Sequence, residues 1–377
     1  MSRKILAIGL IIVLLGAGLW VVGAQEEEAH PIITTAQDVV GVGTYVAAEA
    51  FATPGSEEHP EPMVYILPYA IHPNMHVLSV EEFAQPEALV EGFTFEWSLD
   101  GADLLATGQV AIFIVPDAGK YTLTLTATDD AGNVGEVSWE VAATTYIGSG
   151  YLGETADNQC ISCHEDKVEA WMLTGHSDML VRGLDGTLSS HYGEGCISCH
   201  TTGFSIGENG GFDDVAMEAG WEFPEELTAG GWDAFVAEFP GVAALANIQC
   251  ESCHGPGAMH VPAASDDDDE EDSMGPSQPG PIGDSLAYGV CAQCHAEDPY
   301  HVFPQQWELS GHGEKASRAF TYPTGEGHEA CVRCHSGSGY IDFAAGMPEE
   351  EQRIDYQPIT CAVCHDPHDV SNPNQLR

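Results

Sequence analysis

From Phe93 onward, apolar and polar residues alternate. Phe93, Phe95 and Trp97 interleave with Thr94, Glu96 and Ser98, and Val110, Ile112 and Ile114 keep the same period. Tyr121, Leu123, Leu125 and Ala127 alternate with Thr122, Thr124, Thr126 and Thr128, and Val137, Trp139 and Val141 close the series. A period of two puts one set of side chains on one face of a strand. Turn signals at Asp100-Gly101, Asp117-Ala118-Gly119 and Asp130-Ala131-Gly132-Asn133 separate the runs. Short alternating strands so punctuated predict an antiparallel β-sandwich over 62–146, opened by a β-like run at Met63 to Leu67. Trp97 is its expected inter-sheet core residue, and Tyr121 sits where a tyrosine corner would. The preceding residues, 25–61, are acidic, Ala-rich and without a sustained period, which predicts a leader with little regular structure. His72 and His76 read as ordinary loop histidines. After residue 150 the alternation stops.

A different pattern then takes over. Cys160-Ile161-Ser162-Cys163-His164 recurs in form at 196–200, 250–254, 291–295, 331–335 and 361–365. Positions i, i+3 and i+4 share one face of a helical turn. Two thiols and an imidazole so placed are how a chain attaches a c-type haem, with thioethers to the porphyrin edge and a nitrogen on the iron. All twelve cysteines fall in these six runs. The thioether set is Cys160, Cys163, Cys196, Cys199, Cys250, Cys253, Cys291, Cys294, Cys331, Cys334, Cys361 and Cys364. The proximal set is His164, His200, His254, His295, His335 and His365. Disulfide or zinc frameworks account for paired cysteines but not for a histidine after every second one. The expectation is six haems c. First cysteines follow one another at 36, 54, 41, 40 and 30 residues, too little chain per haem for a conventional apolar core. The region 150–377 is therefore expected as short helices and loops around porphyrin, giving a mixed fold class overall: a β-sandwich, then a mainly helix-and-loop region with little sheet.

Charge narrows the class of partner. Ten basic residues against 59 acidic ones give a formal charge of −49. Such a chain repels nucleic acid and favours redox partner proteins with basic docking surfaces. Part of the charge lies in Ser265 to Asp272 and the Pro/Gly-rich stretch after it; 264–284 reads as a solvated linker between two halves. The first 24 residues read as an export signal: Arg3 and Lys4, an apolar run from Ile5 to Val22, and small residues Gly23 and Ala24 before Gln25. The run is also long enough for an uncleaved anchor, which would attach the chain to the membrane. Either way the expected location is periplasmic or extracellular.

Seven histidines of the haem region lie outside the runs. Their order repeats. Trp171-Met-Leu-Thr-Gly-His176 follows the first run and Trp307-Glu-Leu-Ser-Gly-His312 the fourth; His191 precedes the second and His328 the fifth; His260 follows the third and His368 the sixth. This predicts a duplicated three-haem unit with an insertion at 201–249. It selects His176, His191, His260, His312, His328 and His368 as distal iron ligands and leaves His301 as the spare. His368 stands three residues past His365 and His176 twelve past His164, so neither can wrap round its own porphyrin; distal histidines should bridge to neighbouring haems. Met179 and Met259 are the other candidate sixth ligands, set aside for bis-histidine ligation.

Two resemblances sit on these residues. Asp117 to Asn133 resembles the last strands of PKD-type, immunoglobulin-like modules, which implies a spacer or adhesive unit. His200-Thr-Thr-Gly-Phe204, Gly210-Gly-Phe212 and Cys250-Glu-Ser-Cys-His-Gly-Pro-Gly-Ala-Met-His260, with the two Trp-to-His segments, resemble the family of the tetrahaem cytochrome c of nitrifiers over most of residues 155–368. That resemblance implies electron transfer and carries distal ligands onto His176, His260 and His312; six runs and a β-module depart from it. The expected function is electron transfer along six low-potential haems in an extracytoplasmic respiratory chain, with no catalytic residue assigned. The alternatives are an oxidoreductase acting on a nitrogen or sulfur oxyanion at one open iron, and a self-assembling extracellular filament.

Overall fold

A computed structural model describes residues 34–35, 38–55, 60–69, 91–100, 108–149, 159–205, 207–261, 280–296, 301–313, 329–353 and 359–377. The expected export segment, His72, His76, the acidic run at 265–272 and His328 lie outside them. The described residues all belong to one unit, 31–377.

Among the described residues, eight strands make two sheets. They are β1 (Thr34–Thr35), β2 (Val39–Gly41), β3 (Tyr45–Thr53), β4 (Met63–Tyr69), β5 (Phe93–Leu99), β6 (Val110–Ile114), β7 (Gly119–Asp129) and β8 (Val134–Thr144). In one sheet β3 pairs with β1 in parallel and with β4 and β6 antiparallel; the other runs β2-β8-β7-β5, with only β2 parallel to its neighbour. Side chains of both sheets share one buried cluster: Val46, Ala48, Ala50, Ala111 and Phe113 from the first, Phe95, Trp97, Leu123, Leu125 and Val141 from the second. Trp97 is 1% exposed and its indole N–H donates to the Gly108 carbonyl at 2.9 Å. The Tyr121 hydroxyl donates to the Asp117 carbonyl at 2.9 Å, the bond that ties a tyrosine corner.

Two expectations about this region are corrected. The stretch 25–61 carries strands β1, β2 and β3. Alternate alanines of β3 (Ala48, Ala50, Ala52) are buried, and so small a side chain gives the alternation little contrast against its neighbours. On β6 the inward face is Ala111, Phe113 and, just beyond, Val115, whereas Ile114 is exposed. A one-residue shift in register exchanges the faces of a strand, and an apolar run such as Val110 to Val115 gives no polar mark to fix it.

The chain beyond β8 is helical. Its elements are α1 (Ile161–Met172), α2 (Met179–Leu184), α3 (Ile197–His200), α4 (Phe212–Ala219), α5 (Gly231–Glu238), α6 (Pro240–Ala243), α7 (Cys250–His254), α8 (Gly289–His295), α9 (Phe303–Glu308), α10 (Glu329–His335), α11 (Gly337–Ala344) and α12 (Cys361–Cys364), joined by loops and 3-10 turns. None of the described helices is long and apolar enough to cross a membrane. The expectation that chain alone builds no core here needs correcting for the first half. Leu180, Leu184, Phe212, Trp232, Phe235, Val242 and Leu245 form a second buried cluster, supplied largely by the insertion at 201–249. The C-terminal half differs: beyond residue 280, the buried apolar side chains among the described residues are Ala292, Val332 and Val363.

Candidate haem-binding site

Each of the six Cys-x-x-Cys-His runs lies on a helical turn: the first at the start of α1, the others on α3, α7, α8, α10 and α12. In the first run the turn breaks at His164 (φ −126°, ψ 40°), so the imidazole departs from the line of the helix that continues to Trp171. No disulfide links the twelve cysteines. Thiols of different runs instead face one another: Cys160 with Cys250, Cys199 with Cys294, and Cys291 with Cys361 share hydrogen bonds. Runs one and three, two and four, and four and six are thus neighbours.

Three of the imidazoles are oriented as metal ligands need. His254 Nδ1 meets the Gly283 carbonyl at 2.6 Å, His260 Nδ1 the Gly280 carbonyl at 2.9 Å, and His365 Nδ1 the Asn374 carbonyl at 2.7 Å. A carbonyl takes the Nδ1 proton, fixes the tautomer and leaves Nε2 with its lone pair for iron. Burial lowers the pKa of His176, and drives His200 and His295 down to about 4, so these three are neutral bases near pH 7.

Three pairs of rings stand at one spacing. His164 and His260 have centroids 6.2 Å apart, His176 and His295 6.1 Å, and His254 and His368 5.9 Å. Two imidazoles on opposite sides of one metal, each nitrogen about 2 Å from it, would have centroids about 6 Å apart. No pair joins a histidine to the run it follows: His260, after run three, faces run one; His176, after run one, faces run four; His368, after run six, faces run three. The residues therefore fit haem c in thioether donors, in imidazole tautomer and in ligand spacing.

The other expected ligands fall differently. His191 is exposed, with Nδ1 2.8 Å from the Ser189 hydroxyl; its neighbour Tyr192 stacks on His200 at 5.3 Å instead. His312 is exposed. His301, the expected spare, lies 5.5 Å from His295 and close enough to His200 to depress its protonation. Four imidazoles (His176, His200, His295 and His301) thereby gather between runs two and four. Sequence order alone passes over His301, because it has no counterpart in the first half.

The two Trp-to-His segments are built alike. Trp171 Nε1 donates to the Ile248 carbonyl at 3.0 Å, and Trp307 Nε1 to the Ile359 carbonyl at 2.9 Å. Thr174 and Ser310 hydroxyls turn back to the carbonyls of their own tryptophans, at 2.7 and 2.6 Å, and accept from the amides of His176 and His312. Ile248 and Ile359 each stand two residues before a run, the third and the sixth.

Within the third run, the Glu251 carboxylate accepts three backbone N–H groups: Ile147 at 3.1 Å, Gly148 at 2.8 Å and Gly257 at 2.6 Å. Burial raises its pKa, and the three amides oppose the shift. On α4, burial and the neighbouring Asp214 raise Asp213 to about 7.

A family model described as cytochrome c554 and c-prime matches residues 159–220, which hold the first two runs, His176 and His191. The match supports a c-type cytochrome with haem c as its cofactor and electron transfer as its role. No curated protein and no solved structure matches the chain.

Proposed function

We propose that this protein is an exported electron-transfer cytochrome with six haems c, at low potential and mostly bis-histidine ligated. Haem c supplies reversible one-electron chemistry at iron. The chain's own residues hold and orient it. The twelve cysteines anchor the porphyrin edges; His164, His200, His254, His295, His335 and His365 are the proximal ligands. His260, His368 and His176 are the distal partners of His164, His254 and His295. Two irons and four imidazoles meet between runs two and four, so His301 is the distal partner of His200. His312, His328 and His191 remain for runs five and six.

The observation that carries the proposal is the set of three ring pairs at a common spacing, each joining different runs. Ligands that cross between runs would cross-link the array: the thiol contacts pair run one with three, two with four and four with six, and the ring pairs His176–His295 and His254–His368 bridge these two groups. Electron hopping needs that closeness. Two imidazoles per iron and a formal charge of −49 both stabilise the ferric state, hence the low potentials. The same charge fits a basic redox partner and exclusion of nucleic acid. The paired Trp-to-His segments support duplication of a three-haem unit, and the shared core of the two sheets with the Tyr121 bond supports a PKD-type sandwich in front of it. Stepwise reduction of the purified protein tests the carrier reading: six one-electron equivalents per chain at low potential are expected, without turnover of nitrite or sulfite.

One observation favours a second reading, an oxidoreductase with one open iron. Tyr192 is buried against His200, and its hydroxyl has no partner among the described residues. Cyanide binding to the ferric protein at one iron would select this reading.

A further inference from the structure

The segment joining the β-module to the first helix does not behave as a linker. From Tyr146 to Ser149 its successive amides donate into the haem region. Tyr146 N–H donates to the Asn209 carbonyl at 2.8 Å, Ile147 and Gly148 to the Glu251 carboxylate, and Ser149 to the Gln249 side-chain carbonyl at 2.6 Å. The Thr145 carbonyl accepts from Ala258 at 3.3 Å. Gln249 and Glu251 flank Cys250, so the grip closes on the third run from both sides of its first cysteine. Glu251 is 4% exposed and Gln249 1%, and the Gln249 amide is held in turn by the Ala244 and Ala246 carbonyls, both at 2.7 Å.

The module's own strands reach the same run. Gly255, directly after His254, has φ +77°, and a Cβ there would stand 2.1 Å from the Val39 carbonyl of β2. Only glycine allows that backbone and that approach. Asp38, just before β2, accepts from the Asp284 amide and sits within electrostatic reach of His254.

We propose that the β-module is one wall of the third haem site and that Glu251 is the positioning residue that locks it there. The module then sets the geometry and charge around Cys250, Cys253 and His254, and is not a spacer. A buried carboxylate stabilises ferric over ferrous iron nearby, so Glu251 lowers the potential of that haem. The inference rests on the haem reading of run three, but the contact between module and run does not.

The test uses the full-length holoprotein. Glu251→Gln removes the charge and one acceptor; Glu140→Gln, on the exposed face of β8, is the control. Redox titration should show the midpoint of one haem moved upward in E251Q, the others unmoved, and E140Q superposing on the parent. Loss of one haem from E251Q with five retained carries the same meaning. Independently, hydrogen exchange of the unmutated protein should protect 145–149 as well as strands β7 and β8. An E251Q titration identical to the parent's, or exchange of 145–149 at the rate of an unstructured linker, overturns the inference. A chain that carries no haem sinks the haem reading instead, and leaves the exchange result to decide the contact.

Discussion

An imidazole binds iron only when neutral, and burial keeps His176, His200 and His295 in that form. Among the distal candidates the structure separates His301 from His191 by where each ring lies. His301→Ala should convert one low-spin iron to high spin, whereas His191→Ala should leave the run-two iron low-spin; ferric electron paramagnetic resonance reads both. Asp213 gives a pH dependence with a definite sign. Its carboxyl is raised to about 7 in the fold and returns to the ordinary aspartate range when unfolded. The native state thus holds a proton that the unfolded chain releases, so the contribution of Asp213 to stability is full below the ordinary aspartate range and is lost as pH rises from there through about 7. Asp213→Asn should flatten that slope in thermal melts taken between pH 5 and pH 8.

At the level of elements, the Trp171 and Trp307 segments are the clearest evidence of a repeated design. Each tryptophan pins a histidine-bearing turn to the approach of a run two haems further on. Trp171→Phe keeps the packing but leaves the Ile248 carbonyl short of a donor, a cost of about 1–3 kcal/mol. Trp307→Phe, on a less buried side chain, should cost less; thermal unfolding of the holoprotein measures both. These segments were legible in sequence because each combines a tryptophan, a small hydroxyl residue and a histidine at fixed spacing. The strands of 93–141 were legible because large apolar residues alternate with Thr, Glu and Ser. Strand β3 was not, because alanines bury as well as valines there while carrying no comparable signal. Nor was the second core visible: Phe212 lies on one short helix and Trp232 and Phe235 on another, and only tertiary packing unites them. The ligand pairing was legible only in part. Chain length shows that His368 cannot serve its own run, but which run it does serve is a fact of three dimensions.

On the scale of the whole molecule, two kinds of core divide the work. The β-module and the insertion at 201–249 pack protein against protein, whereas the described residues of the C-terminal half bury few apolar side chains, as the proposed porphyrins would allow. Haem removal should therefore unfold the C-terminal half and spare the β-module, seen as loss of helical circular dichroism with strand signal retained. Thiol contacts and ring pairs join runs one, two, three, four and six into one connected series. That series is the basis for reading the chain as a carrier with closed irons. Spin quantitation of the ferric protein by electron paramagnetic resonance tests it most directly. Six low-spin irons per chain is the result the account predicts; fewer than six, or a high-spin signal that shifts on adding cyanide or nitrite, would contradict it.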